Sequence, residues 1–337
     1  MFERRHKMTG DIKNYLYTLF PKLSIEERRE IIAYLKDMSL NSDTAFKDII
    51  SEIQKKRYSS GFFCPHCESK KVVRFGSYRS RQRYLCRSCK KTFTDLSSTA
   101  LHYIHNKEKF FNATKLMLKG HTLSQTAQRA GVSIPTAFNW RHKILDNMKN
   151  LEDCSLSGIV EADDTFFLHS QKGNRNIERK PRKRGGKSKK RGISSDQVCV
   201  LVARDRNDNT ISEVATFGRP SREQIDKVLG DRLAKDCIFL SDKHPSFRCF
   251  ARQKGLQYKS LNLSKGIRVI KGIYHIQNVN SYHSRLKVWM NRFKGVATKY
   301  LSNYLHWFEF IDSIRKDKIQ KVAEIDLLLR ACSVKAV

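Results

Sequence analysis

The sequence predicts a multidomain α+β protein in which small N-terminal modules precede an α/β domain with a mixed central sheet. Three observations predict it: two Cys-x-x-Cys pairs lie eighteen residues apart, residues 107–149 have helical periodicity, and β-prone runs alternate with helical ones after residue 159. The resulting domains are a helical arm at 1–58, a cysteine-rich module at 59–100, a helical module at 101–150 and the α/β domain at 151–325.

Charge is the most informative property of the composition. The 337 residues include 66 Lys and Arg against 33 Asp and Glu, a formal net charge of +33. Such an excess is typical of proteins that bind a polyanion, and nucleic acid is the best match. An anionic membrane is the alternative, but no apolar run approaches the roughly 20 residues that span a bilayer, and the N-terminus lacks a signal-peptide pattern. We therefore expect a cytosolic, DNA-binding protein without membrane contact.

The paired cysteines predict a structural zinc site. Cys64 and Cys67 form the first pair, Cys86 and Cys89 the second, and a predicted β-hairpin lies between them. Four thiolates around one tetrahedral ion close the site, so its zinc is structural. A redox motif is the alternative, but thioredoxin-type pairs occur singly in a βαβ context. The basic residues of this hairpin, which would contact DNA phosphates or form a solvated face, are Lys70, Lys71, Arg74, Arg79, Arg81 and Arg83.

The helical module contains a pattern typical of a helix-turn-helix. A helix at 123–130 is followed by Gly131 at a tight turn, by Ser133 as an N-cap and by a polar second helix. In that motif the second helix enters the major groove of DNA, whereas an ordinary αα-hairpin is the alternative. The residues predicted to face base edges or phosphates are Ser133, Thr136, Asn139 and Arg141.

A basic segment follows the first strand of the α/β domain. Residues 172–191 contain eleven Lys or Arg and one acid, so we predict a loop that binds the DNA backbone, in which Lys183, Arg184 and Lys187 take part. A nuclear-type address is the compositional alternative. A nucleoside-triphosphatase loop is excluded, because Pro181 stands where that motif needs glycine.

The elements of the α/β domain follow the order β-β-β-α-β-α-β of a ribonuclease-H-like fold. The predicted strands are 159–168, 198–203, 211–217, 237–240 and 258–261, and the predicted helices are 221–233 and a helix after Pro245. In that fold the first and fourth strands are adjacent at the centre of the sheet. The acids that these two strands carry would therefore meet.

Acidic residues mark those two strands. Alternation places Glu161 and Asp163 on one face of the first strand and Asp164 on the other, and Asp242 ends the fourth. A solvated strand edge is the alternative, but the run is apolar, and a buried carboxylate needs a partner such as a cation. A final helix is predicted from 275 through 293, and a polar outer face is the alternative for its stripe of residues at helical spacing, which are Asn280, His283, Ser284 and Lys287.

On these motifs the chain resembles bacterial insertion-sequence transposases of the ISXO2-like group, which join a zinc ribbon to a DDE-type, ribonuclease-H-like domain. In one subgroup the third catalytic position is Asn with a following Lys, a DDNK pattern. The resemblance covers nearly the whole chain from about residue 15 and rests on the paired cysteines, Val160 to Phe166, Ser241-Asp242 and His275 to Lys287. Two departures are the basic segment in place of a glycine-rich stretch and Asp164 in place of Glu.

The resemblance implies that Asp163, Asp242, Asn280 and Lys287 are catalytic. The first three would bind Mg²⁺ or Mn²⁺, and Lys287 would bind a phosphate or balance developing charge. The implied reaction is hydrolysis at each transposon end, after which the freed 3′-hydroxyl attacks target DNA. The implied partners are double-stranded terminal-repeat and target DNA and at least one further copy of the chain on that DNA, in the nucleoid of a bacterial cytoplasm.

Two other functions compete with this one. A tyrosine recombinase would need a His-x-x-Arg motif, which the sequence lacks. The second alternative is a catalytically inactive regulator, derived from a transposase, that retains the zinc ribbon and helix-turn-helix and binds DNA without cutting it.

Overall fold

The computed structural model describes residues 50–314 except 56, 60, 80, 149–154, 178–179, 181–185, 187, 189–190 and 263–264, together with residues 24 and 26. Most of the predicted helical arm and the three loop residues Lys183, Arg184 and Lys187 lie outside the described residues. The chain divides into two units, Met1–Ser98 with Asp317–Val337 and Thr99–Lys316. The second unit therefore contains both the helical module and the α/β domain of the sequence prediction.

The first unit contains a three-stranded antiparallel sheet. Strands β1 (Val72–Tyr78) and β2 (Arg81–Cys86) form the predicted hairpin, and β3 (Thr92–Thr94) pairs with β2. Its small core consists of Cys64, Cys86 and Phe93, with Phe62, Val72, Tyr84 and Cys89 packed against them. One basic residue of the hairpin has an internal partner, because Arg81 Nε donates to Asp95 Oδ1 at 3.0 Å.

Three helices begin the second unit: α1 (Lys107–Leu118), α2 (Leu123–Ala130) and α3 (Ile134–Met148). The turn between α2 and α3 has the predicted chemistry. Gly131 adopts a left-handed φ of 62°, and the Thr136 N–H donates to Ser133 Oγ at 3.2 Å, so Ser133 caps α3 as expected. Thr122 caps α2 with a capping box that involves Gln125.

A five-stranded mixed sheet lies at the centre of the second unit. Its strands are β4 (Ile159–Leu168), β5 (Gln197–Asp205), β6 (Thr210–Phe217), β7 (Ile238–Asp242) and β8 (Gln257–Leu261), in the spatial order β6-β5-β4-β7-β8. Strand β4 is central: it pairs antiparallel with β5 and parallel with β7. The succession of strands and helices is the predicted one, and β4 has the predicted bounds.

Two helices cover each face of this sheet. Helices α4 (Arg222–Leu229) and α5 (Pro245–Gln253) pack on Val160, Ala162 and Phe239. Helices α6 (Gln277–Asn291) and α7 (Leu301–Ile314) cover the opposite face, towards which Glu161 and Asp163 project. The prediction that α4 extends to Leu233 is wrong, because the helix ends at Gly230 and Leu233 forms a parallel bridge with Leu156. None of the described helices is both long and apolar enough to cross a membrane.

The structure does not support the predicted DNA contact of Arg141, which is 3% exposed. Its Nη2 donates to the His121 carbonyl at 2.7 Å, and its guanidinium lies 4.8 Å from the centre of the Trp307 ring in α7. Arg141 therefore joins α3 to α7 by a cation–π contact and hydrogen bonds. Of the other predicted residues, Ser133 and Asn139 are exposed and Thr136 is half-buried.

Candidate active site

Two aspartates meet where β4 and β7 run side by side. The parallel pairing places Ala162 opposite Ser241, so the next residue of each strand brings Asp163 beside Asp242. Both strands are buried up to this point, because Ala162 and Ser241 are inaccessible to solvent. The sheet thus brings together two carboxylates that lie far apart in sequence.

Asp163 lies in a pocket that disfavours its ionised form. Burial, with the nearby charges of Asp164 and Asp242, raises its pKa from the ordinary 3.8 to about 7, although Lys287 opposes the shift. The Asp163 side chain is 19% exposed, and its Oδ2 lies 3.7 Å from His283 Nδ1. Burial and the charge of Lys287 lower the pKa of His283 to about 4, so the imidazole is neutral at pH 7.

Asp164 is also close to Asp242, which the strand alternation did not predict. Burial and the charge of Asp242 raise the pKa of Asp164, and His244 and Arg219 oppose that rise. The cations that act on Asp164 thus differ from Lys287, which acts on Asp163. The Asp164 carboxylate therefore lies beside the pair Asp163 and Asp242. The one sequence signal for it is its position next to Asp163.

Helix α6 presents a polar stripe to this pair of acids. His283 contacts Asp163. Lys287 lies one turn further along α6, and its charge acts to lower the pKa of both Asp163 and His283. Asn280 precedes His283 by three residues, so it belongs to the same stripe, and it is exposed. The four residues predicted to be catalytic therefore lie on three elements, β4, β7 and α6, that pack together. The sequence places His283 on this stripe but not among the catalytic residues.

This group of oxygens fits a divalent cation. Asp163 and Asp164, whose pKa values are raised by burial and by nearby negative charge, gain from a nearby cation, and carboxylate and amide oxygens are the ligands that Mg²⁺ accepts. The aspartates do not form a closed cage: in the described part of the chain, the four paired cysteines are the one group of three or more acidic, His or Cys ligands within 4.8 Å of one another. An open set of one or two carboxylates is typical of Mg²⁺ sites that are completed by water and substrate phosphate.

We expect divalent cations to stabilise the protein more at about pH 8 than at about pH 5.5. Because the pKa of Asp163 is about 7 in the folded protein and 3.8 ordinarily, the folded state holds an extra proton between these values. The contribution of Asp163 to stability therefore falls as pH rises through this window. Below pH 7 a cation that binds Asp163 must first displace this proton, which weakens its binding. Thermal unfolding with and without Mg²⁺ or Mn²⁺ measures the effect.

Asp163→Asn is the matched variant for this measurement, since it removes the titrating group and retains its size. In this variant the shift of the melting temperature by the cation should be small at both pH values. An equal shift at both pH values in the unmodified protein would contradict the prediction.

The four paired cysteines form a second candidate metal site in the first unit. Their sulfurs all lie within 4.8 Å of one another, with Cys64 Sγ 3.7 Å from Cys89 Sγ and Cys67 Sγ 3.6 Å from Cys86 Sγ. A tetrahedral zinc ion with bonds of about 2.3 Å would hold its sulfurs roughly 3.8 Å apart. The cluster therefore fits a structural zinc ion in a zinc ribbon, as predicted.

Comparisons with known proteins relate the chain to transposases. Residues 155–311 match the family model of the ISXO2-like transposase domain. The chain is 26% identical, over 256 residues, to an uncharacterised protein in the transposable element ISH50 of Halobacterium salinarum, with 75% of this chain and 86% of that protein covered. A crystal structure of a pre-cleavage Mos1 transpososome aligns with 65% of this chain and 76% of its own, at 13% identity and a TM-score of 0.27, too low to bear on the fold. These comparisons support an insertion-sequence transposase, in which residues 155–311 are similar to the ISXO2-like transposase domain.

Proposed function

We propose that the protein is an active transposase that cuts DNA at transposon ends and joins the freed 3′-hydroxyl to target DNA. The observation that carries the proposal is the meeting of Asp163 with Asp242 beneath the polar stripe of α6. A regulator that only binds DNA has no need of half-buried carboxylates that repel one another. Such an arrangement costs stability and is typical of sites that bind a cation and perform chemistry.

The strand order supports a ribonuclease-H-like fold for residues 151–325. Strands β6, β5 and β4 are antiparallel, β4 lies at the centre, and β7 and β8 add in parallel on its other side, with helices on both faces. This topology joins the first and fourth strands of the domain. It thereby brings together the acids at which a DDE-type enzyme would bind its metal.

Each residue of the set has a role in this proposal. Asp163 and Asp242 would hold the cation through carboxylate oxygens, and Asn280 through its amide oxygen, which supplies one negative charge fewer than Glu. A bound Mg²⁺ or Mn²⁺ would supply the Lewis acidity that in-line displacement at a phosphodiester requires. Lys287 would bind a phosphate of the DNA and balance the charge that develops there. Neutral His283 would orient the Asp163 carboxylate without adding charge.

We also propose how the protein holds DNA. Helices α2 and α3 would act as a helix-turn-helix, with Ser133, Thr136 and Asn139 towards the duplex, and the ribbon and the basic segment would contact phosphates. The net charge of +33 supports a large phosphate footprint. Because two transposon ends must be joined, at least two copies of the chain would assemble on DNA.

A nicking and joining assay tests the proposal. Purified protein, incubated with labelled transposon-end DNA and Mg²⁺ or Mn²⁺, should release a 3′-hydroxyl at the end and then form joined products. Chelation of the added cation should stop both steps. Specific retardation of the end DNA without any nicking would instead support the regulator.

A further inference from the structure

Helix α6, which carries Asn280, His283 and Lys287, lacks a cap of its own. Its N-cap residue is Ile276, whose side chain forms no capping hydrogen bond. The first N–H groups of a helix need acceptors, and a buried helix start without them is destabilised. His275 Nδ1 accepts the Gln277 N–H at 3.3 Å, and the acceptor for the next two N–H groups comes from another element.

That acceptor is Glu161 of β4, which is 0% exposed. Its Oε2 accepts the backbone N–H of Asn278 at 2.9 Å and that of Val279 at 3.0 Å, and its Oε1 accepts Asn278 Nδ2 at 2.9 Å. The two backbone bonds are those that a capping side chain would receive. The carboxylate also meets the positive end of the helix dipole, which favours its negative charge.

Arg206 forms an ion pair with the same carboxylate, His275 lies beside it, and both contact the segment before α6. Arg206 Nη1 lies 3.0 Å from Glu161 Oε1, and Arg206 Nη2 donates to the Ile273 carbonyl at 2.9 Å. His275 Nδ1 lies 3.5 Å from Glu161 Oε1, and its Nε2 is 3.1 Å from Arg206 Nη1. The charge of Glu161 is therefore matched inside the protein, and the entry to α6 is fixed on two sides.

The placement of these bonds relates them to the candidate active site. Glu161 precedes Asp163 by two residues in β4, and Asn278 precedes Asn280 by two residues in α6. One carboxylate thus joins the strand that carries the first acid to the helix that carries the amide. A change in this joint would shift Asn280, His283 and Lys287 together relative to Asp163.

We propose that Glu161 is a positioning residue. It fixes the position of α6 along β4, so that Asn280 and Lys287 face Asp163 and Asp242. The inference rests on the proposed transposase function for its catalytic consequence. The capping of α6 by Glu161 is a separate physical statement, and it can be measured without catalysis.

Hydrogen exchange in the full-length protein tests the capping directly. In Glu161→Gln, which retains one acceptor oxygen and the size of the side chain, we expect exchange in peptides covering 277–283 to be faster by roughly tenfold or more. Glu161→Ala should show a larger increase. Wild-type exchange at these amides in both variants would overturn the proposal.

The control is Glu213→Gln. Glu213 is a half-buried carboxylate of β6 whose Oε1 lies 2.9 Å from His306 Nε2 and 4.0 Å from Arg232 Nη1, contacts that do not involve α6. This variant should lower the melting temperature as a structural change does, while exchange at 277–283 stays at the wild-type rate. Equal acceleration in Glu213→Gln would show general loosening and would overturn the specific role of Glu161.

The catalytic consequence is read from the divalent-ion dependence of nicking. In Glu161→Gln, we expect the nicking rate to fall by about 10- to 100-fold, the cation concentration for half-maximal rate to rise, and end-DNA binding to stay unchanged. Glu213→Gln should retain the wild-type cation requirement. Failure of the wild-type protein to nick would refute the proposed function, whereas wild-type nicking by a Glu161→Gln variant with altered exchange would refute the positioning role alone.

Discussion

Replacing Asp163 by Asn should reduce nicking at transposon ends on the order of 1,000-fold or more and leave end-DNA binding intact. The substitution keeps the shape of the side chain and removes the negative charge that would hold the cation. It also removes the carboxyl group whose pKa is raised to about 7 by burial and by the charges of Asp164 and Asp242 in the unmodified protein. We therefore expect the folded variant to be at least as stable as the wild type without added cation.

The matched control for this experiment is Asp164→Asn, at the adjacent position of the same strand. Asp164 is influenced by His244 and Arg219, whereas Asp163 faces His283 and Lys287. We expect Asp164→Asn to change the nicking rate by less than about tenfold, because the Asp164 carboxylate does not face the polar stripe of α6. Rates and binding are measured with the same labelled end DNA. Nicking by Asp163→Asn at the Asp164→Asn rate would exclude Asp163 as a metal ligand.

Replacing Cys86 by Ser should unfold the zinc ribbon. The described core of that sheet is small, with three buried residues and four partly buried ones. A structural zinc ion contributes about 10–16 kcal/mol to folding in zinc-finger peptides at pH 7, far more than so small a core supplies. We expect zinc content to fall to near zero and residues 61–98 to become susceptible to proteolysis, while Thr99–Lys316, a separate unit, keeps its protection.

Cys249→Ser is the control for the zinc experiment. Cys249 is an exposed cysteine of α5 outside the four-cysteine cluster, so its replacement should change neither zinc content nor protease sensitivity. Zinc content is measured by metal analysis and the integrity of the ribbon by limited proteolysis. A Cys86→Ser protein that retains a full zinc ion and a protected ribbon would show that the cysteines are not a structural zinc site.

Local patterns in the sequence were enough to predict most strands and the meeting of the acids. Strand β4 has its predicted bounds because β-prone residues, Ile159 and Val160 before the acids and Thr165–Leu168 after them, mark its beginning and end. The proximity of Asp163 to Asp242 follows from the order of the elements. That order predicts that β4 lies next to β7, and their parallel pairing places Asp163 beside Asp242. The cysteine cluster could be predicted because its two pairs are short, local motifs.

Contacts between distant residues were beyond the reach of those patterns. Arg141 has the sequence context of a DNA-contacting residue, and its burial depends on an aromatic ring 166 positions away, at Trp307. Glu161 has the context of a strand acid, and its bond to the Asn278 N–H spans 117 positions. Periodicity gives the face on which such a side chain lies, but it does not identify the partner that arrives on that face.

The attachment of α3 to α7 has a consequence for the distance along the DNA between the contacted bases and the cut. Arg141 and its aromatic neighbours make the helical module and the transposase domain one unit, not two bodies on a flexible tether. If α3 holds the duplex as proposed, the distance from α3 to the pair of aspartates within this one unit sets the number of base pairs between the bases that α3 contacts and the bond that is cut.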